Sequence, residues 1–329
     1  MRLVTRADFD GIVCGSLITL MEEIDSYLFV EPKFMQDGMV DIRQGDIIAN
    51  LPYHPNCSLW FDHHVTNKDW PFKTPIVAGK GGFRLAPSAA RVVYEYYTTV
   101  PSATAQESKI QNPKSKIVQG LKVLGSERMR YLLEETDRID AGQLVPEDVH
   151  HPEGYVLISM TLDGKRAEDE PYWLRLIELL RDHSLEETLK NPEVRERCQQ
   201  ILDSQEKLKA ILLERTTLKG NVIFVDLRGI RDIPDGNRFL LYTLFPTGNI
   251  SLRVADDSQR PNTTAISVGY NIFNTTSKVN VGALLEKHGG GGHKVVGSCR
   301  VLTSEAERAV REIFEAIKER RMQNENCKM

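Results

Sequence analysis

Long apolar runs are missing from this 329-residue chain. None approaches the roughly 20 residues that a membrane-spanning helix requires, so no membrane partner is expected. The five cysteines (Cys14, Cys57, Cys198, Cys299 and Cys327) are scattered, odd in number and never spaced CxxC. That pattern argues against a disulfide framework and for reduced thiols in a cytoplasm. Neither sign of charge dominates: the net charge is -4 and the sequence pI about 6.1. The chain as a whole exerts no pull on nucleic acid or anionic membrane, so an anionic ligand must be met by a local cluster or a metal. A Lys/Arg stripe interleaved with aromatics is also lacking, which speaks against a long nucleic acid as substrate. A leader segment is not expected either, because Met1 to Thr5 enters a strand-like run within three residues and then meets charge. What is there, 41% hydrophobic and 27% charged residues, describes an ordinary globular protein long enough for two domains.

Only eight histidines are present, and two of them are adjacent in Trp60-Phe61-Asp62-His63-His64-Val65-Thr66-Asn67. The apolar run Ser58 to Phe61 reads as a buried strand that ends in a carboxylate and two imidazoles. Neighbouring residues on a strand point to opposite faces, so three consecutive polar groups make sense where the strand stops and the backbone turns. In an open α/β sheet that is where ligands bind. Asp and His together can hold a divalent cation or orient a phosphate there.

Earlier in the chain, Arg2 to Thr5 reads as a strand and Gly11 to Met21 as an apolar helix, with Asp8-Phe9-Asp10-Gly11 at the turn between them. Two carboxylates at a helix N-terminus can be caps or metal-binding oxygens. Tyr27 to Val30 and Asp46 to Pro52 read as further strands, the latter ending near Asn50. This alternation predicts a parallel sheet. Gly79 to Phe83 reads as a glycine-rich loop, Pro87-Ser88-Ala89-Ala90 as a helix start, and Thr104 to Lys114 as a surface loop. Ile117 to Thr136 is helical and leads into Asp137 and Asp140, which share a helical face; one could be a metal ligand, or both could be solvated charges paired with Arg138. His150 and His151 read as loop residues. Pro171 to Lys219 is helical throughout, its last helix, Val194 to Leu218, serving as a connector.

From Asn221 the pattern changes. Strands are expected at Val222 to Val225, Ile250 to Val254 and Ala265 to Val268, and helices at Asn237 to Phe245 and Val281 to Lys287. His288-Gly289-Gly290-Gly291-Gly292-His293-Lys294 follows. Four consecutive glycines cost chain entropy, and a loop that turns bare N–H groups and a histidine toward an anion is a use that fits. The expected fold is α/β in two domains: a parallel-sheet domain over 1–170, a helical connector over 171–219 and a smaller α/β domain over 220–329.

Taken in order, Asp8-Phe9-Asp10-Gly11, Asp62-His63-His64, Pro87-Ser88-Ala89-Ala90, Asp137 and Gly289-Gly290-Gly291-Gly292-His293 resemble the DHH phosphoesterase family with its DHH-associated C-terminal domain. The resemblance spans nearly the whole chain. That family includes single-strand exonucleases, oligonucleotide and cyclic dinucleotide phosphodiesterases, and exopolyphosphatase-related enzymes. The resemblance implies hydrolysis of phosphodiester or phosphoanhydride bonds in a cleft between domains, usually with two manganese ions. Paired cations can activate water near neutral pH and stabilise both attacking and leaving oxygens. By resemblance, Asp8, Asp10, His63 and Asp137 match metal ligands and His64 faces the scissile phosphate. Ser251, Arg253 and Gly290, Gly291, Gly292 and His293 match the substrate-holding part. Relatives often form homodimers.

Two positions depart from the family pattern. Arg6 stands where relatives carry a His or Asp, and a guanidinium cannot ligate a cation. Asn50 stands where the family has a bridging Asp, and a neutral amide is the weaker ligand. Asp46 begins the same strand and so belongs at its wrong end. The two changes strike one metal position, so one ion is expected in place of two, manganese first and magnesium second, held by Asp10, His63 and Asp137. Arg6 would then offer its charge to a phosphate. The expected function is a phosphoesterase acting on a short oligonucleotide, a dinucleotide or polyphosphate. The alternatives are a nucleotide or polyphosphate binder that has lost turnover and, more remotely, an interaction protein on the same scaffold.

Overall fold

A computed structural model describes residues 1–64, 76–77, 79–99, 115–257 and 260–318. Val65 to Asn67, the Thr104 to Lys114 loop and Cys327 lie outside the described residues. The chain divides into two compact units: Met1–Leu144 with Pro152–Gln199, and Val145–His151 with Gln200–Met329.

The first unit is built on β1 (Arg2–Thr5), β2 (Ser26–Phe29), β3 (Ile47–Ala49), β4 (Leu59–Asp62), β5 (Ile76–Val77) and β6 (Gly81–Phe83). Their order is β2-β1-β3-β4-β6-β5, all parallel except β5, which runs antiparallel to β6. Leu3, Val4, Ile47, Ile48, Trp60 and Phe61 are fully buried, as expected of strands covered on both faces. Helix α1 (Phe9–Met21) is apolar nearly all round, and it is buried nearly all round as well. It packs against α2 (Ala89–Thr99), α3 (Lys116–Leu124) and α5 (Glu170–Asp182). The helical stretch expected from Ile117 to Thr136 is two helices, α3 and α4 (Glu127–Asp140), broken at Gly125 and recapped by Ser126.

The structure differs from the sequence expectation at two places. Gly81 and Gly82, expected in a loop, belong to β6. A Cβ on Gly81 would stand 2.0 Å from the Trp60 carbonyl oxygen, so the glycine lets two strands approach closely. His150, expected in a loop, ends the short helix Pro146–His150.

Helix α6 (Pro192–Arg215) leads into β7 (Thr216–Lys219), which ends the helical stretch short of Lys219. The second unit's sheet adds β8 (Val222–Asp226), β9 (Ile250–Asp256), β10 (Thr263–Tyr270), β11 (Gly291–Gly292) and β12 (Val296–Leu302), in the order β11-β12-β10-β9-β8-β7. One face packs Leu252, Val254, Ile266 and Val268 against α8 (Val281–Glu286) and α9 (Ala306–Ile317). The other packs Ile223 and Val225 with Leu208, Leu212 and α7 (Leu240–Leu244).

Candidate active site

Three neighbouring strands, β1, β3 and β4, end on the same edge and release Arg6 to Asp10, Asn50 and His63–His64 there. Sheet order alone therefore brings sequence-distant residues together. Asn50 takes the left-handed backbone, φ 57°, which Asn tolerates better than most residues. Its amide N–H still bonds the Phe61 carbonyl (3.0 Å), and its side-chain Nδ2 donates to Asp8 Oδ1 (2.9 Å).

Asp10 is buried, and both its oxygens are held by the first turn of α2: Ala89 N–H donates to Oδ2 and Ala90 N–H to Oδ1, each at 2.8 Å. The two alanines are themselves fully buried, and their small side chains let this helix end stand against the carboxylate. His63 Nδ1 lies 2.9 Å from the Ala86 carbonyl, which can only accept, so Nδ1 carries the proton and Nε2 presents a lone pair. That Nε2 is 3.8 Å from Asp10 Oδ2 and 3.3 Å from Asp140 Oδ2, buried and without a hydrogen-bond partner. Asn50 Oδ1 is likewise buried and unpartnered.

A lone pair beside a fully buried carboxylate and a partly exposed one is crowded unless a proton or a cation lies among them. The pKa of Asp10 is accordingly pushed well up, by burial first and then by Asp140 and Asp8, against the opposing pull of the Ala90 and Ala89 amides. Asp140 is raised as well, chiefly by burial. One oxygen each from Asp10 and Asp140 and one nitrogen from His63 lie within 4.8 Å of one another, close enough to share a divalent cation. The donor set fits such an ion.

Asp137 does not join this cluster. It is engaged by Arg91, through Nε at 2.8 Å and through Nη2, and by the Ser88 hydroxyl, which donates at 2.6 Å. Ser88 also accepts from Arg91 N–H (3.0 Å) at the start of α2, so this network locks α2 to α4. The cation that pairs with Asp137 is therefore Arg91, and Asp140, one helical turn later, is the residue brought to His63. Arg138 pairs with Glu135 and with neither Asp. Spacing placed both acids on one face, but only the position of Arg91 separates their tasks.

Asp8 is similarly occupied. It caps α1 through Gly11 N–H (2.9 Å) and pairs with Arg6 Nη1 (2.9 Å), while Arg6 Nη2 reaches Glu31 (3.4 Å). Arg6 thus sits against the carboxylate that a second cation would need. Asp46, at the opposite end of β3, is held by Arg2 Nε at 3.1 Å and Arg43 N–H at 2.8 Å. His64 is half exposed, and its Nδ1 lies 2.9 Å from buried Asp62 Oδ1, the contact that raises its pKa most.

In the second unit the glycine stretch differs from an open anion cradle. The amides of Gly289, Gly290 and His293 already donate to the carbonyls of Glu286, Leu285 and Val296. Gly291 and Gly292 pair with Ser298 and Gly297 as β11. A Cβ on Gly290 would meet the Ser298 oxygen at 2.3 Å, and one on Gly292 the Gly297 Cα at 2.4 Å. Close backbone packing against β12 accounts for these glycines, and His293 is left exposed. Ser251 is buried and bonded to the Tyr242 hydroxyl (2.9 Å). Arg253 pairs with no described residue and lines, with Ser251 and Tyr242, a cavity of about 170 Å³.

No family model and no curated protein sequence matches the chain. The pGpG-specific phosphodiesterase PggH of Vibrio cholerae is 32% identical, with TM-score 0.79, over 96% of this chain and 98% of that one. The chain belongs to the DHH phosphoesterase family. RecJ of Thermus thermophilus, solved in complex with Mn2+, is 16% identical with TM-score 0.49, over 96% of this chain and 52% of that one, a likeness too distant to bear on function. Members of the DHH family such as PggH are hydrolases, and the two-unit α/β architecture here is the one PggH has.

Proposed function

We propose that this protein is a metal-dependent phosphodiesterase that cleaves a short linear nucleotide of the pGpG kind. The observation that carries the reading is His63 Nε2, buried, unpartnered and flanked by Asp10 and Asp140. The substrate class is supported by the likeness to PggH along the whole chain. Asp10, His63 and Asp140 would hold one divalent cation, with Asn50 Oδ1 as a neutral fourth donor. Mixed oxygen and imidazole ligands suit manganese, with magnesium second. When bound, the ion would act as a Lewis acid toward a phosphoryl oxygen and would lower the pKa of water.

The chain's own residues supply the rest. The α2 amides fix the orientation of Asp10, and the Ala86 carbonyl fixes the His63 tautomer, as partners behind a ligand must. His64, kept protonated to higher pH by Asp62, is the group that meets the phosphate and gives a proton to the leaving oxygen. Within the first unit Arg6, and within the second unit Arg253, each offers a guanidinium to a phosphate oxygen. The scattered, unpaired thiols of Cys14, Cys57, Cys198 and Cys299 support a reducing cytoplasmic setting.

The test is manganese-dependent release of GMP from pGpG, compared across cyclic dinucleotides, pyrophosphate and polyphosphate. His63→Ala removes a ligand, so the expected loss of kcat/KM exceeds the roughly 10–100-fold that partners behind a ligand are worth. Undiminished turnover in that variant would sink the assignment. A second reading, a nucleotide binder without turnover, is favoured by the Arg6–Asp8 pair and predicts nucleotide binding with no metal retained.

A further inference from the structure

Glu31 and Gly164, from distant parts of the first unit, meet at Arg6. Strands β1 and β2 run parallel with Thr5 beside Phe29, and the ladder continues one step as Val30 N–H donates to the Thr5 carbonyl (2.9 Å). The next residues along, Arg6 and Glu31, therefore emerge near each other at the sheet edge that carries the candidate site. Gly164 lies in the turn that follows the helix Gly154–Met160.

Glu31 stands at the N-cap of the short helix Pro32–Gln36, where a side-chain oxygen commonly accepts a helix N–H, yet it makes no such bond. Its carboxylate reaches instead to Arg6 Nη2 (3.4 Å), while Asp8 takes Nη1 (2.9 Å). A guanidinium is planar and rigid, so carboxylates on both Nη groups fix its orientation. Arg6 Nε is buried without a hydrogen-bond partner, so this pose follows the two carboxylates and does not saturate the arginine.

Gly164 supplies the independent observation. Its backbone is outside the left-handed region, so conformational freedom does not explain the glycine. A Cβ there would stand 2.9 Å from Glu31 Oε1 and 3.3 Å from the Ala7 carbonyl oxygen. The turn itself is pinned: Asp163 accepts from Lys165 N–H (3.1 Å) through its side chain and from Arg166 N–H (3.0 Å) through its carbonyl. Glycine at 164 keeps open the place that the Glu31 carboxylate occupies.

We propose that Glu31 is a positioning residue that acts through Arg6. With Asp8 it holds the guanidinium by both Nη groups, so that the N–H groups left over meet a phosphate oxygen in one fixed direction. This role rests on the reading of the first unit as a phosphodiesterase site. Set against two carboxylates, Arg6 brings no net positive charge. Its contribution is the direction of its hydrogen bonds, which orients the phosphate toward the reacting groups.

The test is a double-mutant cycle on the full chain: kcat/KM for pGpG in manganese for wild type, Arg6→Ala, Glu31→Ala and the double variant. Arg6→Ala should lose on the order of tenfold or more, as a hydrogen bond between charged groups is removed. Glu31→Ala should lose about fivefold. The double variant should lose no more than Arg6→Ala alone, because Glu31 then has nothing to position. Glu31→Gln keeps an acceptor oxygen and should recover most of the loss. Gly164→Ala pushes the carboxylate aside without removing it and should match Glu31→Ala. Manganese affinity should stay within about threefold of wild type in the Glu31 and Gly164 variants, since a partly exposed carboxylate contributes little to it. Glu31→Ala equal to wild type, or losses that multiply in the double variant, overturn the inference. Wild type that binds pGpG without cleaving it refutes the hydrolase reading alone, and the same cycle read on Kd then decides the role of Glu31. Wild type that neither binds nor cleaves pGpG overturns both.

Discussion

At His63 a single hydrogen bond decides what the ring can do. With Nδ1 donating to the Ala86 carbonyl, Nε2 is committed as an acceptor toward Asp10 and Asp140, and only a proton or a cation relieves the crowding. The raised pKa values of Asp10 and Asp140 fix the sign of two pH effects. Carboxylates whose folded pKa lies above the unfolded one bind more protons when folded. Metal-free protein therefore loses stability as pH rises from about 4 through the folded values, the reverse of a salt-bridged Asp. Protons also compete for the ligands, so manganese affinity should rise over the same window. Thermal denaturation in EDTA and in manganese, at about pH 5 and about pH 7.5, reads both: manganese should raise Tm more at the higher pH. An equal shift at both would contradict the protonation argument. Asn50→Asp would set a second carboxylate against Asp8 in place of an amide donor. We expect it to destabilise the EDTA-treated protein by about 1–3 kcal/mol, with recovery in manganese. Combined with Arg6→His, it should add a second bound ion.

Elements explain what single residues do not. The start of α2 does two jobs: its amides hold Asp10, and its Ser88 and Arg91 hold Asp137 on α4. Much of this was legible in the sequence: the strand-ending Asp62-His63-His64, the carboxylates at the start of α1, and a helix beginning after Pro87. That Arg91 engages Asp137 and leaves Asp140 beside His63 was not, because both acids occupy one helical face and α2, far earlier in the chain, supplies the Arg91. The glycines at 289–292 were visible too, but their use was not, since the strand they pack on, Val296–Leu302, comes later in the chain. Denaturant unfolding separates packing from ligand contact there. Gly290→Ala drives a Cβ into backbone and should cost about 1–3 kcal/mol, as overpacking does. Gly291→Ala meets nothing within 4 Å and should lie within about 0.5 kcal/mol of wild type. Equal stability of the two, with phosphate binding lost in both, would restore the anion-cradle reading.

For the whole molecule, each of the two units has its own core, and a bound ion stabilises only the fold that presents its ligands. Manganese at about 100 times its Kd should add about 2.7 kcal/mol to unfolding. The central claim is that one ion is held by Asp10, His63 and Asp140, while Asp137 serves Arg91. The most direct measurement is a manganese titration of wild type, Asp140→Asn and Asp137→Asn, read as stoichiometry and affinity. One ion per chain is expected in wild type, with affinity falling on the order of 100-fold in Asp140→Asn and far less in Asp137→Asn. Asp137→Asn should instead lose stability through the unpaired Arg91. Tight manganese binding that survives Asp140→Asn and disappears in Asp137→Asn would contradict the account.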